Sequence, residues 1–283
     1  MKIIVIYNNK SGSYSSLHHI KTLFEECDIH PERYFSLKEA TLKSLSPFIK
    51  RNCVIAVIGG DGTQNSIVHL LKGSDFIYAP LPGGTLNHFC KDAGIGTDLP
   101  TAIKQLPDSH KQKVDVAYVN DRVILNNSSL GLYPNSLRAR SGLESHIGKW
   151  PAAFFATVRT LIVFHTFNVI VNDKSLRTPS IFVGNNLYEI DGSFTRKRLN
   201  SGKLFVWIIT ADSRRKMIRS LFDTLLRRSR TDTYQLFTTQ SITIESRKKS
   251  LRVATDGEYF RENTPLHYSV SPGKLTILSP KKH

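Results

Sequence analysis

The sequence predicts two domains: an α/β domain with a mostly parallel sheet, then a β-rich domain of sandwich or flattened-barrel type. Residues 1–112 repeat a strand–turn–helix unit, the pattern of a parallel sheet with helices on both faces. Beyond them, short strands separated by turn dipeptides dominate, as in antiparallel sheets. The boundary is set by that change of pattern near Ser109–Lys113. The domains are therefore expected at 1–112 and 113–269, with a return of 270–283 to the first domain left open.

Ile3–Tyr7 is the first strand and Asn8–Ser13 a polar turn. Leu17, Ile20, Leu23 and Phe24 lie on one face of a helix. Tyr34–Leu37 reads as a short strand and Lys38–Lys50 as a helix with Pro47 inside it. Val54–Ile58 is a buried strand that runs into Gly59-Gly60-Asp61-Gly62-Thr63-Gln64-Asn65, after which Ile67, Val68, Leu70 and Leu71 return to helical spacing. Glycines let the chain turn sharply and let an anion approach the N–H groups, and the next helix offers its positive end. Asp61 repels phosphate unless a cation lies between them, which points to a Mg²⁺-phosphate ligand. Taken alone, the run reads more readily as a tight βα turn than as a site. Phe76–Leu81 is another strand, ending in a second glycine turn, Pro82-Gly83-Gly84-Thr85-Leu86-Asn87, and a helix over Leu86–Ala93. Both glycine turns and the Asn8–Gly12 turn follow strands of a parallel sheet, at the ends where such sheets bind ligands.

In the second half the predicted strands are Val114–Val119, Val123–Asn127, Phe167–Val171, Ser180–Gly184, Lys203–Thr210, Tyr234–Phe237, Ser241–Ser246 and Leu251–Ala254. Two helices interrupt them. Pro151–Phe164 is strongly apolar, a core helix or the lining of an acyl-chain groove. Ser213–Arg230 is amphipathic, with one basic side, and suits docking on a protein core or on an anionic membrane. Asp256-Gly257-Glu258 is a hairpin signal, and its two carboxylates also form a candidate base and its partner.

Lys+Arg 39 against Asp+Glu 23 gives a net charge of +16, which predicts an anionic partner. No nucleic-acid motif accompanies the charge, so a nucleic-acid partner is not expected. The three cysteines, Cys27, Cys53 and Cys90, are dispersed, which supports neither a zinc site nor a disulfide framework and suggests a reducing cytosol. The N-terminus lacks a signal-peptide core, and no run reaches the roughly 18–20 apolar residues of a membrane span.

Gly59-Gly60-Asp61-Gly62-Thr63, Pro82-Gly83-Gly84-Thr85-Leu86-Asn87, Val183-Gly184-Asn185 and Asp256-Gly257-Glu258, in this order, resemble the diacylglycerol kinase catalytic-domain family, in its soluble bacterial lipid-kinase branch. Sphingosine and ceramide kinases share that domain. The first motif is also found in NAD kinases and is similar in phosphofructokinases; the combination is more specific. The resemblance implies a nucleotide domain of that α/β kind and a β-sandwich domain, with ATP and Mg²⁺ in a cleft. It implies transfer of the γ-phosphoryl group to a hydroxyl of a lipid such as diacylglycerol or a sphingoid or ceramide-type lipid. By resemblance, Gly59, Gly60, Asp61, Gly62, Thr63, Gln64, Asn65 and Ser66 hold the ATP phosphates with Gly84, Thr85 and Asn87. Asn8, Asn9, Lys10, Ser11 and Gly12 form the first nucleotide turn, with Ser36 near another contact. Asp61 and Asp115 join a Mg²⁺–water network, and Asp256 or Glu258 takes the lipid proton.

Three departures stand out. Asn9 replaces the usual proline of the first turn. His88 stands where many members carry Asp, which removes one carboxylate from the metal network. Ser201, with Arg196, Lys197, Arg198 and Lys203 nearby, replaces an acidic Asp-Gly pair that holds a second, structural Mg²⁺ in some members, so that metal is expected to be absent. The expected protein is a cytoplasmic, peripherally membrane-associated lipid kinase of phospholipid biosynthesis. The alternatives are an NAD kinase and a catalytically silent lipid- or nucleotide-binding regulator. Oligomeric state is not readable from the chain.

Overall fold

Continuous runs of β-branched and other apolar residues form the middle of the first sheet. β1 (Ile3–Tyr7), β3 (Val54–Gly59) and β4 (Ile77–Pro82) are almost wholly buried, as parallel strands under helices must be. The computed structural model describes residues 2–9, 16–49, 53–131, 165–189, 195–210, 213, 215–216 and 234–280. The predicted helix Pro151–Phe164, nearly all of Ser213–Arg230, and Lys10, Ser11 and Gly12 lie outside the described residues. The chain divides into two compact units, one of residues 1–117, 186–202 and 271–283, the other of 118–185 and 203–270.

In the first unit the sheet order is β2 (Arg33–Ser36), β1, β3, β4 and the end of β16 (Leu266–Ser279), all parallel. The helices are α1 (Leu17–Glu26), α2 (Leu42–Ile49), α3 (Asp61–Leu70), α4 (His88–Asp92) and α5 (Leu99–Lys104). α2 is shorter than the predicted 38–50. Glu39 closes the turn before it, and Thr41 and Ser44 exchange hydrogen bonds at its start. α5 escaped the sequence reading although it carries a start signal: Asp98 accepts the Thr101 N–H at 2.9 Å, with Pro100 in the first turn. Residues 113–117 and 186–202, expected within the second domain at 113–269, fall in the first unit. Hydrogen bonds at Asp115 and an ion pair at Arg196, described below, tie them there.

In the second unit one sheet has the order β12 (Tyr234–Thr239), β11 (Leu204–Ile209), β10 (Ser180–Asn185), β7 (Asn127–Gly131), β14 (Ser250–Thr255) and β15 (Glu258–Asn263), all antiparallel. One face of it is core, through Ile208, Val206, Ile181, Val183, Leu130 and Val253. The start of β16, β13 (Ser241–Glu245), β8 (Phe167–Val171) and β9 (Lys174–Thr178) pair antiparallel in that order, and β6 (Arg122–Ile124) pairs with β5 (His110–Val119). β9 and β15 escaped prediction because they are edge strands carrying exposed charged residues. β16 escaped because Pro272-Gly273 reads as a turn.

Candidate active site

In the first unit the two glycine turns touch backbone to backbone. A Cβ on Gly84 would lie 2.4 Å from Gly60 Cα, and one on Gly83 would lie 2.8 Å from Gly59 N. Only glycine fits such an approach. Parallel pairing sets it up, since β3 and β4 run side by side through Ile58↔Leu81 and Gly59↔Pro82. α3 starts at Asp61, and its first intrahelical bond is Gln64 N–H to the Gly60 carbonyl at 3.0 Å. The N–H groups that precede Gln64 open the helix and have no intrahelical acceptor, the arrangement that attracts an anion.

Side chains fix this geometry. Gln64, 1% exposed, donates from Nε2 to the carbonyls of Val57, Gly59 and Leu81 at 3.0, 3.1 and 3.0 Å, while the Tyr78 hydroxyl donates to its Oε1. Its side chain therefore spaces the ends of β3 and β4 instead of facing a ligand. Burial pushes the Tyr78 hydroxyl well above its ordinary pKa. Asn8 Nδ2 donates to Thr63 Oγ1 at 2.9 Å, joining the first turn to α3. Asn87, in the left-handed region at φ 49°, accepts the Gly84 N–H at 2.9 Å and donates to the Gly84 carbonyl at 2.7 Å. That closes the second turn and leaves Thr85 exposed beside Gly84. Asn65, Ser66 and Gly62 are half-buried on α3, and Asn9 follows Asn8. Ser36 donates both its N–H and its hydroxyl to Glu39 Oε2, at 2.8 Å each, and these bonds hold the Glu39 carboxyl below its ordinary range.

The two expected metal carboxylates differ. Asp61, half-buried, accepts the N–H groups of His88 at 3.1 Å and Phe89 at 3.0 Å and so caps α4. Asp115, 1% exposed, accepts the Gly202 N–H at 2.7 Å on one oxygen and the Gly273 N–H at 2.9 Å on the other. Mg²⁺ is commonly held by one or two carboxylates together with substrate phosphates and water. Asp61 fits that arrangement for a metal carried by a nucleotide. Asp115 is instead enclosed, with a backbone N–H on each oxygen. Among the described residues, no group of three or more His, Cys, Asp or Glu is placed to hold a metal ion. Around Ser201, the Asn186 Oδ1 accepts both the Ser201 N–H at 2.7 Å and its hydroxyl at 2.9 Å. Arg196 Nε pairs with Asp92 Oδ2 at 2.6 Å, with both side chains buried, and its guanidinium lies over the Tyr188 ring.

In the second unit Asp256-Gly257 is the two-residue turn between β14 and β15, with φ of 49° and 88°. Positive φ at both positions is the hairpin geometry that Asp-Gly favours. Asp256 has a second role. Its Oδ2 accepts the Leu125 N–H at 2.8 Å, and its Oδ1 accepts those of Asn126 at 2.8 Å and Asn127 at 3.0 Å. These bonds split the predicted strand Val123–Asn127 into β6 and β7. Asn185 grips the same bend from its other side, donating from Nδ2 to the Leu125 carbonyl at 3.0 Å and from its N–H to the Asn126 carbonyl at 2.8 Å. Glu258, the first residue of β15, is exposed.

The sequence profile of the diacylglycerol kinase catalytic domain matches residues 2–119. A Staphylococcus haemolyticus protein named "putative lipid kinase" is 30% identical over 242 residues, which is 80% of this chain and 76% of that protein. The chain belongs to the diacylglycerol kinase catalytic-domain family. A Staphylococcus carnosus protein of the same name is 25% identical over 237 residues, again 80% of this chain and 76% of its own length. Among solved structures, one described as a putative diacylglycerol kinase from Bacillus anthracis has a TM-score of 0.75 at 23% identity, covering 98% of this chain and 96% of its own. That likeness shows the fold. As a member of the family, the chain carries the glycine turns at the N-terminus of α3 and the Asp-Gly-Glu hairpin as two separate constellations, one in each unit. Two further features escaped the sequence reading. Gln64 reads in sequence as part of the phosphate turn, and only its burial adds the role of spacer. Asp92 and Arg196, 104 residues apart, gave no local signal. No helix among the described residues is long and apolar enough to cross a membrane.

Proposed function

We propose that this chain is an ATP-dependent lipid kinase that transfers the γ-phosphoryl group to a hydroxyl of a lipid such as diacylglycerol or a sphingoid or ceramide-type lipid. The observation that carries the reading is the pair of glycine turns in backbone contact at the N-terminus of α3, with Asp61 at the junction. The N–H groups that open that helix and the Thr85 hydroxyl bind the phosphates, and Gln64, Asn8 and Asn87 hold the turns in place. Magnesium bound to the nucleotide offsets phosphate charge, with Asp61 as its protein carboxylate. The Asp256–Glu258 hairpin supplies the carboxylate that takes the hydroxyl proton. Phosphoryl transfer asks mainly for positioning and charge stabilisation, which such groups supply. The net charge of +16 supports work at an anionic membrane surface.

The test is transfer of label from γ-³²P-ATP, with Mg²⁺, to a panel of diacylglycerol, ceramide, sphingosine and phosphatidylglycerol in mixed micelles, with NAD as a parallel acceptor. Label on one lipid class, lost in Asp61→Asn, is expected. Label on NAD alone, or on no acceptor at all, overturns the proposal.

A further inference from the structure

α4, with five residues, is too short to fix its own position. Isolated helices shorter than about 12 residues are not stable in water. Its placement comes from groups that other segments of the first unit bring to it. At its start the Asp61 carboxylate accepts the N–H groups of His88 and Phe89, one on each oxygen. At its last residue Asp92 Oδ2 accepts the Arg196 Nε–H at 2.6 Å. One residue further on, the Ser279 hydroxyl donates to the Ala93 carbonyl at 2.8 Å. At about 1.5 Å per residue, Asp92 lies about 6 Å along the helix from the donors that face Asp61.

The Arg196 side chain is fully enclosed and that of Asp92 is nearly so. Apolar residues of similar volume commonly match or exceed the stability of such a buried pair. What an apolar contact lacks is direction, since a charge-assisted hydrogen bond fixes both distance and angle. Arg196 is also a firm anchor. Its guanidinium lies over the Tyr188 ring, 5.5 Å from the centroid. Three residues on, Leu199 is buried, and its carbonyl accepts the Asp115 N–H at 2.7 Å.

We infer that Arg196 is a positioning residue for Asp61. Through Asp92 it sets the placement of α4, and α4 presents the two N–H groups that orient the Asp61 carboxylate. The role of Asp61 towards a nucleotide-borne metal rests on the lipid-kinase reading, whereas the coupling rests on the hydrogen bonds alone. Without the Arg196 bond α4 can tilt, and the carboxylate turns with the donors that hold it.

The test separates position from stability. Asp92→Leu/Arg196→Met keeps the space filled and removes the directional bond. It is compared with wild type by amide hydrogen exchange at His88 and Phe89 without nucleotide, and by calorimetric titration with MgATP. Exchange at both amides is expected to be faster than in wild type. MgATP affinity is expected to fall about 10–100-fold, as it does when an outer partner of a metal-binding carboxylate is lost. The denaturation midpoint should stay near that of wild type. Lys197→Ala, which breaks the exposed pair with Glu189 in the same segment, is expected to leave exchange and affinity unchanged. A double variant with wild-type exchange and wild-type affinity overturns the inference, as do equal changes in Lys197→Ala. Should the double variant fail to fold, Arg196→Lys decides: it keeps the charge without the Nε–H, is expected to show both changes to a lesser degree, and sinks the inference if both values are those of wild type. If wild type binds no MgATP and phosphorylates no lipid, the lipid-kinase reading has failed, and exchange at 88 and 89 still decides the coupling.

Discussion

Replacing Gly84 with alanine probes the contact on which the nucleotide site is built. The added Cβ would stand 2.4 Å from Gly60 Cα and 3.1 Å from Gly60 N. Carbon atoms in contact settle at about 3.5–4.0 Å, so the two turns must separate by about 1 Å. Neither neighbour is a flexible side-chain tip; both are backbone of the facing turn. Overpacking of this kind costs about 1–3 kcal/mol. The larger effect falls on catalysis, because a displacement of about 1 Å in a positioning element costs about 10²-fold in rate. The assay is steady-state kinetics with ATP varied, beside thermal unfolding with and without nucleotide. Gly84→Ala should lower kcat/KM for ATP about 10²-fold and reduce the thermal shift that ATP confers. Gly73→Asn is the control: Gly73 has φ 88° and open space around it, and asparagine tolerates that conformation. If Gly84→Ala bound and used ATP like wild type, the paired turns would not be the nucleotide site.

Other expectations follow from the buried polar groups. Gln64→Leu removes the donor shared by the Val57, Gly59 and Leu81 carbonyls and should cost about 1–3 kcal/mol, seen as a lower denaturation midpoint at unchanged m; an unchanged midpoint would contradict the spacer role. Arg196→Met leaves Asp92 as a buried, unpaired charge and should destabilise by about 3–5 kcal/mol, most of it recovered in Asp92→Leu/Arg196→Met. A small, salt-sensitive loss in the single variant would mark the pair as a surface one. Burial pushes the Cys90 thiol and the Tyr268 hydroxyl up, so folding favours their neutral forms. Their contribution is complete below the ordinary values of 9.0 and 10.0 and is lost as pH rises beyond them. The melting temperature should therefore hold through neutral pH and fall on the alkaline side, with the first part of the fall absent in Cys90→Ala. A fall that begins near neutrality and is indifferent to that substitution would contradict the burial.

Local signals in the sequence carried the first sheet and the turns that punctuate it. Val54–Ile58 is apolar and, except at Ala56, β-branched, as a strand buried on both faces is, and the glycines after it permit the sharp turn. What could not be read depends on partners distant in sequence. Asp256 looks like a turn residue because its three donors lie about 130 residues earlier. The donors to Asp115, the Gly202 and Gly273 N–H groups, lie 87 and 158 residues away in sequence. β15, Glu-Tyr-Phe-Arg-Glu-Asn, has no apolar alternation because an edge strand has little to bury, and its pairing is imposed by the hairpin turn. The segment 186–202 joins the first unit through Arg196 and Asp92, a pairing that no spacing rule reveals.

The most direct measurement is mass spectrometry of the lipid product formed from ATP carrying ¹⁸O at the non-bridging γ-oxygens, in the presence of Mg²⁺. The account predicts a lipid phosphate monoester that retains the label from the transferred group, with formation dependent on Asp61. Unlabelled lipid phosphate, or ATP consumption to ADP and free phosphate with the lipid unchanged, would contradict it.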